Sequence, residues 1–489
     1  MSSLEEIRQN RLNKLEVLRK KGINPYPIST HADACLKEAA DNFEKLSKKK
    51  KLSLAGRVMA LRGQGGLVFA DLSDGTGAFQ ALLKKDELPE EMFSLWGEVV
   101  DIGDFVEVTG TLFITKRNEK TLQVKSWRML GKSLRPLPEK WHGLTDTEER
   151  FRKRYLDLLM NEEVRDRFLL RSRIVSALRA LLDAEGFLEV ETSILQLLAG
   201  GANAEPFKTH HHALDIDLYL RIAPELDLKK LLIGGYPKVY EIGRSFRNEG
   251  IDVTHNPEFT TVEWYEAYSD GAKQQVFVET VLRSIVQRVC GTTRVPFDGH
   301  ELDFEKPFEK VTYFELLERH ALISHPRTVT YDALVEKAKE LGVGAHPADG
   351  PEKIMDSIYK KAVRPKLIQP TIIVDYPKEY IPLAKKKEDD ESMVDAFQVV
   401  VGGYEIVKAF SELNDPVDQR ERFLAQEKNK KSGDREAQPN DEAFLEALEY
   451  GMPPAGGLAI SIDRMTMLLS NVKNIREVIF FPTLRPKNE

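Results

Sequence analysis

The stretch KVYEIGRSFRNEGIDVTHNPEFTTVEWY, from Lys238 to Tyr265, has the pattern of two β-strands joined by a turn. Because side chains alternate between the two faces of a strand, antiparallel pairing would gather an unusual set on a single face. Its members are Arg247, Glu249, Phe259, Glu263 and Tyr265, and the turn adds His255. An ordinary surface sheet with ion pairs explains any one of these residues, but it does not explain the whole set.

This set of side chains has the chemistry of a nucleotide site. An arginine forks onto a phosphate, a carboxylate accepts a hydrogen bond from an exocyclic amine, and an aromatic ring stacks on a base. The glycine-rich phosphate loops of Rossmann and P-loop proteins do not occur between a strand and a helix in this sequence. The stretch therefore predicts a nucleotide site built on an antiparallel sheet.

The region from Leu52 to Gly131 contains short apolar segments separated by turns, including the hairpin signal SDGTG at residues 73–77. Five strands with a helix-like insert at Pro89–Trp96 predict a small closed barrel, for which an OB-fold is the best candidate among several small barrels. A linker rich in proline and charge leads into a predicted long helix, Glu162–Glu185. Strands and helices then alternate unevenly, so the sequence predicts an α+β protein.

Composition places the chain among soluble globular proteins. Hydrophobic residues make up 42% and charged residues 30% of the 489 residues, and the net charge is −7. No apolar run is long enough to span a bilayer, and the N-terminus lacks the apolar core of a secretory signal. Two distant cysteines, Cys35 and Cys290, offer no disulfide framework. We therefore expect a cytoplasmic protein without membrane contact.

Several further stretches carry a resemblance to a known family. FRNE at residues 246–249, GGLAISIDRMTMLL at 456–469 and GFLEVETSIL at 186–195 resemble motifs 2, 3 and 1 of the class II aminoacyl-tRNA synthetases. Other stretches narrow the resemblance to the class II lysyl-tRNA synthetases of bacterial type: GGANAEPF, LYLRIAPELDLKKLLIGG, HNPEF, SELNDPVDQRERF and FFPTLRP. The resemblance covers nearly the whole chain, with its motifs in the family's order.

The resemblance implies a domain plan. Residues 1–50 form an N-terminal helical extension, residues 51–135 an OB-fold domain that binds the anticodon, and residues 136–160 a linker. Residues 161–489 form the class II catalytic domain, an antiparallel sheet flanked by helices with a helical insertion near 306–365. Motif 1 is the dimer-forming segment of the family, so the resemblance also implies a homodimer.

The resemblance implies ATP-dependent activation of L-lysine to lysyl-adenylate, with Mg²⁺ as cofactor, and transfer of the lysyl group to the 3′ end of tRNA(Lys). One alternative is an aspartyl- or asparaginyl-tRNA synthetase, whose pocket needs cations; Glu225, Tyr265 and Glu412 argue against it. The other is a synthetase-like paralogue that binds RNA or lysylates a protein. The intact barrel and the complete arginine set argue against that paralogue.

Individual roles are carried over by the resemblance alone. The catalytic residues are Arg247 and Arg464. The ATP-binding residues are Arg247, Glu249, His255, Phe259, Glu405 and Arg464. The lysine-binding residues are Gly201, Glu225, Arg247, Tyr265 and Glu412. The Mg²⁺ ligands are Glu405 and Glu412, since Mg²⁺ prefers oxygen ligands. The anticodon-binding residues are Arg62, Phe69 and Gln80, a ring, a cation and an amide suited to single-stranded RNA. Phe69 alone would more often be a core residue.

Some positions depart from the family's pattern. Ser193 stands where motif 1 usually has proline, and Ala459 and Ser461 replace glycines of the motif 3 strand. Since alanine and serine are small, we expect a slightly tighter pocket at these two positions. Lys408 replaces a frequent asparagine between Glu405 and Glu412. We expect this cation to form a salt bridge with a carboxylate, and to compete there with Mg²⁺ or with substrate lysine.

Overall fold

The computed structural model describes residues 3–138, 144–345, 350–431 and 438–487, with the backbone alone at 429–431. The chain separates into two compact units, Met1–Thr145 and Asp146–Glu489. Within the described residues, no helix combines the length and the apolar character needed to cross a membrane.

The first unit is a closed barrel with helices beside it. The helices are α1 (Leu4–Lys20), α2 (Leu36–Asp41), α3 (Phe43–Leu46) and α4 (Glu90–Val99). The strands are β1 (Leu52–Gln64), β2 (Leu67–Ser73), β3 (Ala78–Lys84), β4 (Phe105–Ile114) and β5 (Lys120–Gly131). They close in the order β1-β2-β3-β5-β4, with α4 between β3 and β4. The predicted five-stranded OB barrel and its helical insert are confirmed.

Local chemistry explains two features of this unit. Helix α1 begins after Ser3, whose hydroxyl accepts from the Glu6 N–H at 3.2 Å while the Glu6 carboxylate accepts from the Ser3 N–H at 2.6 Å, a capping box. The predicted β2–β3 hairpin is closed by Asp74, whose Oδ1 accepts from the Thr76 N–H at 2.8 Å. Alternate residues of β1 then point inward, so that Leu52, Leu54 and Val58 all join the barrel core.

The second unit is built on a large sheet. Its helices are α5 (Thr147–Arg152), α6 (Arg154–Met160), α7 (Glu162–Ala184), α8 (Glu225–Ile233), α9 (Gly271–Cys290), α10 (Tyr313–Ala321), α11 (Tyr331–Glu340), α12 (Pro351–Ile358), α13 (Pro416–Lys431), α14 (Glu442–Glu449) and α15 (Ile462–Leu469). Its strands are β6 (Leu188–Glu189), β7 (Leu195–Gln196), β8 (Lys208–His211), β9 (Ile216–Leu220), β10 (Lys238–Phe246), β11 (Glu258–Ala267), β12 (Arg294–Phe297), β13 (His300–Asp303), β14 (Glu309–Thr312), β15 (Thr371–Pro377), β16 (Met393–Val401), β17 (Tyr404–Ser411) and β18 (Ala455–Ser461).

Eight strands form the main sheet in the order β14-β15-β16-β17-β18-β11-β10-β6. The pairs from β15 to β10 are antiparallel, as predicted, but the end pairs β14–β15 and β10–β6 are parallel. The sheet is therefore mixed at its two ends. These outer strands are only four and two residues long, too short to show a hydrophobic period in the sequence.

The two faces of this sheet carry separate cores. Helices α7, α9 and α15 pack on the back face, where Val262 and Trp264 of β11 are fully buried. Helix α8 and the segment containing α10, α11 and α12 pack on the front face, against Tyr265 and Phe410. The predicted helical insertion is thus present. It ends in a π-helical turn, Tyr359–Val363, followed by a short 3-10 helix, Arg364–Lys366.

Candidate active site

The β10–β11 hairpin presents the predicted nucleotide-binding side chains on the front face. The two strands pair in register from Lys238 opposite Glu266 to Phe246 opposite Glu258. The predicted strand runs on to Glu249, but β10 ends at Phe246. The next residue on the partner side is Pro257, which has no N–H to continue the ladder. The Arg247 N–H still donates to the Pro257 carbonyl at 2.9 Å, which is the last bond of the ladder.

The structure brings Arg247 and Phe259 together and leaves Glu249 apart. The guanidinium carbon of Arg247 lies 5.0 Å from the centre of the Phe259 ring, a cation–π contact. Glu249 lies in the turn with an exposed side chain, and it contacts no other site residue by hydrogen bond or ion pair within the described part of the chain. Its predicted contact with adenine stays a prediction.

The tip of the hairpin is organised around Asp252. Its Oδ1 accepts from the N–H groups of Thr254 at 2.6 Å and His255 at 2.8 Å. Burial acts to raise the pKa of Asp252, but the hydrogen bonds from Thr254 and His255 outweigh it and lower this pKa to about 2. Asp252 Oδ2 lies 2.9 Å from Nδ1 of His255. A proton on Nδ1 leaves Nε2 free to accept from Arg464 at 3.2 Å.

Arg464 is fixed by the start of helix α15. The hydroxyl of Ser461, the residue before the helix, accepts from the Arg464 N–H at 3.2 Å, so the serine that replaces a glycine here caps the helix. Nη1 of Arg464 donates to the Glu405 carbonyl at 2.9 Å. Burial lowers the pKa of Arg464, and the charges of Arg364 and Arg247 lower it further against an opposing effect of Glu405. Three guanidinium groups therefore converge here.

A second group of charged side chains surrounds Lys229. Glu225 is the first residue of α8, and Lys229 lies one turn later on the same side of the helix. The fully buried Lys229 ammonium contacts Glu225 Oε1 at 2.7 Å and Glu412 Oε2 at 2.5 Å. Burial acts to lower the pKa of Lys229, but the two carboxylates outweigh it and raise this pKa. Lys229 is therefore a permanent cation between the two.

Glu263 adds a third buried carboxylate to this pocket. The Tyr265 hydroxyl donates to Glu263 Oε2 at 3.3 Å. Burial, with the charge of Glu225, raises the pKa of Glu263 to about 8. Burial also acts to raise the pKa of Glu412, and the charge of Lys229 opposes this shift. Three buried carboxyl groups thus share one ammonium, and burial keeps the proton on Glu263 at neutral pH until another cation approaches.

Two glycines allow these groups to approach one another. A Cβ at Gly457 of β18 would lie 1.9 Å from Glu412 Oε1 and 2.4 Å from Tyr265 Cε1. Gly201 has a φ of +88°, and a Cβ there would lie 3.1 Å from the Glu225 Cβ. The predicted lining position of Gly201 therefore adjoins Glu225. Larger residues at either position would displace the carboxylates.

The two predicted Mg²⁺ ligands have different neighbours. Glu412 lies among Lys229, Glu225 and Glu263, whereas Glu405 lies beside Arg464. Among the described residues, no group of three or more histidine, cysteine, aspartate or glutamate side chains forms a metal site. Mg²⁺ commonly takes one or two carboxylates together with substrate phosphates, so the assignment of Glu405 and Glu412 to Mg²⁺ stays a prediction.

Lys408 occupies the front face between these two groups. It lies opposite Ala459 of β18, which in turn lies opposite Glu263 of β11. Its side chain is half-buried. The expected salt bridge is absent within the part of the chain that the structure describes, because neither Glu405 nor Glu412 lies within 4.0 Å of the Lys408 ammonium. The site therefore holds another cation without a carboxylate partner.

The three predicted anticodon residues share the outer face of the barrel. Arg62 of β1 lies opposite Phe69 of β2, and Gln80 of β3 lies opposite Asp71. Arg62 pairs with both oxygens of Asp71 at 2.8 Å, and Gln80 Oε1 accepts from the Thr121 hydroxyl at 2.9 Å. Phe69 is half-buried and lies outside the barrel core. Phe69 is therefore not a core residue of the barrel.

Sequence reasoning gave no role to three residues that the structure puts in this site. Strand alternation predicted the correct face for Glu263 but no function. Tyr265, two residues away on the same face and assigned to lysine binding, could have indicated that function. Lys229 follows Glu225 by four residues, a spacing that pairs opposite charges on a helix. Arg364 follows the π-helical turn, and no pattern in the sequence singles it out.

A sheet with this strand order, an arginine cluster on its front face and a separate OB barrel has the architecture of a class II tRNA synthetase. The family model described as tRNA synthetases class II (D, K and N) matches residues 146–485. A second model, described as OB-fold nucleic acid binding domain, matches residues 52–130. The chain belongs to the class II tRNA synthetases of the D, K and N group.

Curated relatives narrow the comparison further. A lysine–tRNA ligase of Pelotomaculum thermopropionicum is 46% identical over 486 residues, covering 99% of this chain and 96% of the relative. One from Carboxydothermus hydrogenoformans is 46% identical over 485 residues, or 99% of each chain. One from Aquifex aeolicus is 47% identical over 441 residues, covering 90% of this chain and 74% of the relative.

Proposed function

We propose that this protein is a lysine–tRNA ligase. It activates L-lysine with ATP to form lysyl-adenylate, and it then transfers the lysyl group to the 3′ end of tRNA(Lys). One observation carries this proposal: among the described residues, the buried carboxyl groups of Glu225, Glu263 and Glu412 lie together, and the ammonium paired with them is that of Lys229. Such a pocket favours a substrate with two amino groups. A pocket for the aspartate carboxylate would need the opposite charge, and a pocket for the neutral asparagine amide would need no buried carboxyl cluster.

The arginine cluster supports the assignment of the ATP end. Arg247 holds the α-phosphate and the lysine carboxylate, Phe259 stacks on adenine, and His255 and Arg464 hold the outer phosphates. Glu249 accepts from the adenine amine. A carboxylate oxygen of lysine attacks the α-phosphorus, and the bond from that phosphorus to the β-phosphate oxygen breaks. The electron pair leaves with pyrophosphate. No general base is needed, because the attacking carboxylate is already ionised; catalysis depends on position and charge.

Glu405 would hold Mg²⁺ together with ATP phosphates, and the ion would offset part of their charge. The protein's own contribution at this position is the backbone link from the Glu405 carbonyl to Arg464 at 2.9 Å. This bond couples the metal-binding strand to the motif 3 arginine. Glu412 would supply the second carboxylate, as the family resemblance implies, while its Oε2 contacts Lys229.

The buried carboxyl pocket supports the assignment of lysine. Glu225, beside Gly201, binds the α-amino group, while Glu412, Glu263 and the Tyr265 hydroxyl surround the ε-ammonium. Lys229 keeps Glu225 and Glu412 from repelling each other before lysine binds. Because a buried carboxylate without a cation partner is costly, an amino acid that lacks the second ammonium is rejected.

The barrel would bind the anticodon of tRNA(Lys). Phe69 offers a ring for stacking on a base, and Arg62 and Gln80 offer polar groups beside it. The Arg62–Asp71 pair is exposed, so a base or phosphate can replace Asp71 as partner at small cost. We also propose that the reaction takes place in the cytoplasm.

A homodimer is part of the proposal. The segment that resembles motif 1, Gly186–Leu195, exposes the apolar side chains of Leu188, Ile194 and Leu195, and Leu197 beyond it is 68% exposed. An apolar patch of this kind is typical of a subunit interface. Light scattering at micromolar concentration should give twice the chain mass of 55.6 kDa, and a monomer would contradict the proposal.

Amino-acid-dependent exchange between pyrophosphate and ATP tests the function. All twenty amino acids are compared at equal concentration, and we expect exchange with lysine alone. Exchange with aspartate or asparagine would establish the rival synthetase, and no exchange with any amino acid would contradict the proposed activation step. Charging of a tRNA(Lys) transcript, with a transcript of changed anticodon as control, then tests the second step.

A further inference from the structure

We propose that Arg364 is a third arginine of the nucleotide site, which contacts the outer phosphates of ATP and stabilises the pyrophosphate that leaves. The inference rests on the proposed function in one respect, since it takes ATP as the substrate at this site. It adds a residue that neither the motifs nor the family resemblance assigned.

The backbone before Arg364 has an uncommon geometry. A π-helical turn occupies Tyr359–Val363, and the 3-10 helix Arg364–Lys366 follows directly. Isolated π-helical turns are rare and are frequent at functional sites, because the extra residue redirects the side chains that follow. Here the residue that directly follows the π-helical turn is Arg364, at the end of the helical insertion.

The segment is held against the strand that carries Glu405. The N–H groups of Gly402 and Gly403 donate to the carbonyls of Ile368 at 2.8 Å and Leu367 at 2.9 Å. A Cβ at Gly403, which has a φ of +78°, would lie 3.2 Å from Pro365 Cα. This glycine turn leads immediately into β17, whose second residue is Glu405. Arg364 is therefore fixed beside the site by backbone contacts.

The guanidinium of Arg364 has no partner of its own within the described residues. Its Nε is buried without a hydrogen-bond acceptor, and no carboxylate lies within 4.0 Å. Arg154, a structural arginine of the same unit, differs sharply: it contacts Asp157 at 2.6 Å and the carbonyl of Arg476 at 2.7 Å. Arg247, the motif 2 arginine, resembles Arg364, since its Nε is also buried without an acceptor.

The charges near Arg364 identify the chemical class of its ligand. Arg364 adjoins Gly403, in the turn that leads into Glu405, and the Glu405 carbonyl accepts from Nη1 of Arg464 at 2.9 Å. Arg364 and Arg247 both lower the pKa of Arg464, as nearby positive charges do. Lys408 adds a fourth positive charge on the same face. Within the described residues, none of these three guanidinium groups forms an ion pair with a carboxylate, which suits them to a polyanion. Guanidinium groups bind phosphate oxygens in a forked geometry.

The arrangement also suits the reaction. When the bond from the α-phosphorus to the bridging oxygen breaks, negative charge increases on the departing pyrophosphate. A fixed cation near the outer phosphates stabilises this charge more strongly than it stabilises bound ATP. Arg364 would therefore improve both ATP binding and the rate of lysine activation.

Binding of AMP, ADP and ATP to the full-length protein tests the inference. Arg364→Gln removes the charge and leaves a shorter polar side chain, and Arg364→Lys restores a charge. We expect Arg364→Gln to weaken ATP binding about 10- to 100-fold with AMP binding unchanged, and Arg364→Lys to recover part of the loss. Lys366→Ala, which removes a nearby exposed charge, is the matched control and should leave all three affinities unchanged.

The outcomes separate this inference from the proposed function. An equal loss of AMP and ATP affinity in Arg364→Gln, or unchanged affinity for both, would overturn the role in phosphate binding. If wild-type protein shows no lysine-dependent exchange but still prefers ATP to AMP through Arg364, the proposed function fails and the inference stands. If Arg364→Gln lowers the thermal midpoint by several degrees, the ratio of ATP to AMP affinity in Arg364→Lys decides the question.

Discussion

The two ends of the front face differ in the sign of the charge that has no partner. Around Arg464 the excess is positive, with Arg247 and Arg364 lacking carboxylate partners among the described residues. Around Lys229 the excess is negative, with three buried carboxyl groups to one ammonium. The end around Arg464 is therefore complementary in charge to a polyphosphate, and the end around Lys229 is complementary to a diamine. The two ends should therefore respond separately to mutation.

We expect Glu412→Gln to give the largest difference between the loss of lysine activation and the loss of ATP binding. It removes the charge partner of a buried ammonium, and breaking such a pair is strongly unfavourable. We expect lysine-dependent exchange to fall at least 100-fold, about 3 kcal/mol, while ATP binding stays within about twofold. Steady-state exchange kinetics and calorimetric titration of ATP measure the two. Glu421→Gln, an exposed glutamate, is the control, and an equal loss of ATP binding in Glu412→Gln would remove the distinction between the two ends.

Gly457→Ala tests the same end through shape instead of charge. The new Cβ would collide with Glu412 Oε1, at 1.9 Å. Because overpacking in a rigid site costs about 1–3 kcal/mol, we expect the KM for lysine to rise about 10- to 100-fold with little change in the KM for ATP. Gly97→Ala, where no atom lies within 4 Å of the new Cβ, is the control. Unchanged lysine kinetics would mean that the carboxylates move without cost.

Phe69→Ala leaves both ends of the front face intact. If the ring stacks on an anticodon base, its loss costs about 1–3 kcal/mol, and we expect tRNA charging to fall about tenfold with exchange unchanged. Phe79→Ala, which truncates a core residue of the same barrel, should instead lower thermal stability. Equal loss of charging and exchange in Phe69→Ala would give Phe69 a structural role.

The smallest effect is a pH dependence confined to lysine. Glu263 has a pKa of about 8 because of burial, so a bound ammonium must displace its proton. From pH 7 to pH 8 we expect the KM for lysine to fall about fivefold while the KM for ATP stays constant. Glu263→Gln should flatten this dependence. A pH-independent KM for lysine in wild type would show that the carboxylates are ionised throughout.

The same shifts affect stability with a defined sign. A carboxyl group whose pKa is raised on folding holds its proton longer in the folded state, so the folded protein loses stability as pH rises between the unfolded and folded pKa values. For Glu263 this window runs from 4.5 to about 8. Urea unfolding at pH 5 and pH 8 measures the difference, which Glu263→Gln should reduce; a wild type more stable at pH 8 would contradict it.

The nucleotide end was more predictable than the amino-acid end, and the reason is chain distance. Arg247, His255 and Phe259 belong to one hairpin, so strand alternation put Arg247 and Phe259 on one face and the turn added His255. The lysine end draws Glu225, Glu263 and Glu412 from three separate elements. They meet through the register of β11, β18 and β17 and through the packing of α8 on the front face. The resemblance supplied two of these three carboxylates. Alternation supplied the face of Glu263 but gave no reason to assign it a role.

Other differences have local causes. Strand β10 ends three residues earlier than its own sequence pattern predicts, because Pro257 on the opposite side of the hairpin has no N–H to continue the ladder. The pairing of Glu405 with Glu412 at Mg²⁺ stays a prediction, because the family resemblance alone supplied it. The predicted barrel and the helix of residues 162–185 agreed with the structure, since both show strong periodic patterns.

Lys229 has a consequence for how this family can diverge. Its ammonium contacts Glu225 and Glu412 together, so a change at any one of these three positions alters the environment of the other two. Substitutions at positions 225, 229 and 412 should therefore occur together or not at all. A lineage that changed its amino acid would need compensating replacements at all three, which makes this triad a barrier between specificities within a shared fold.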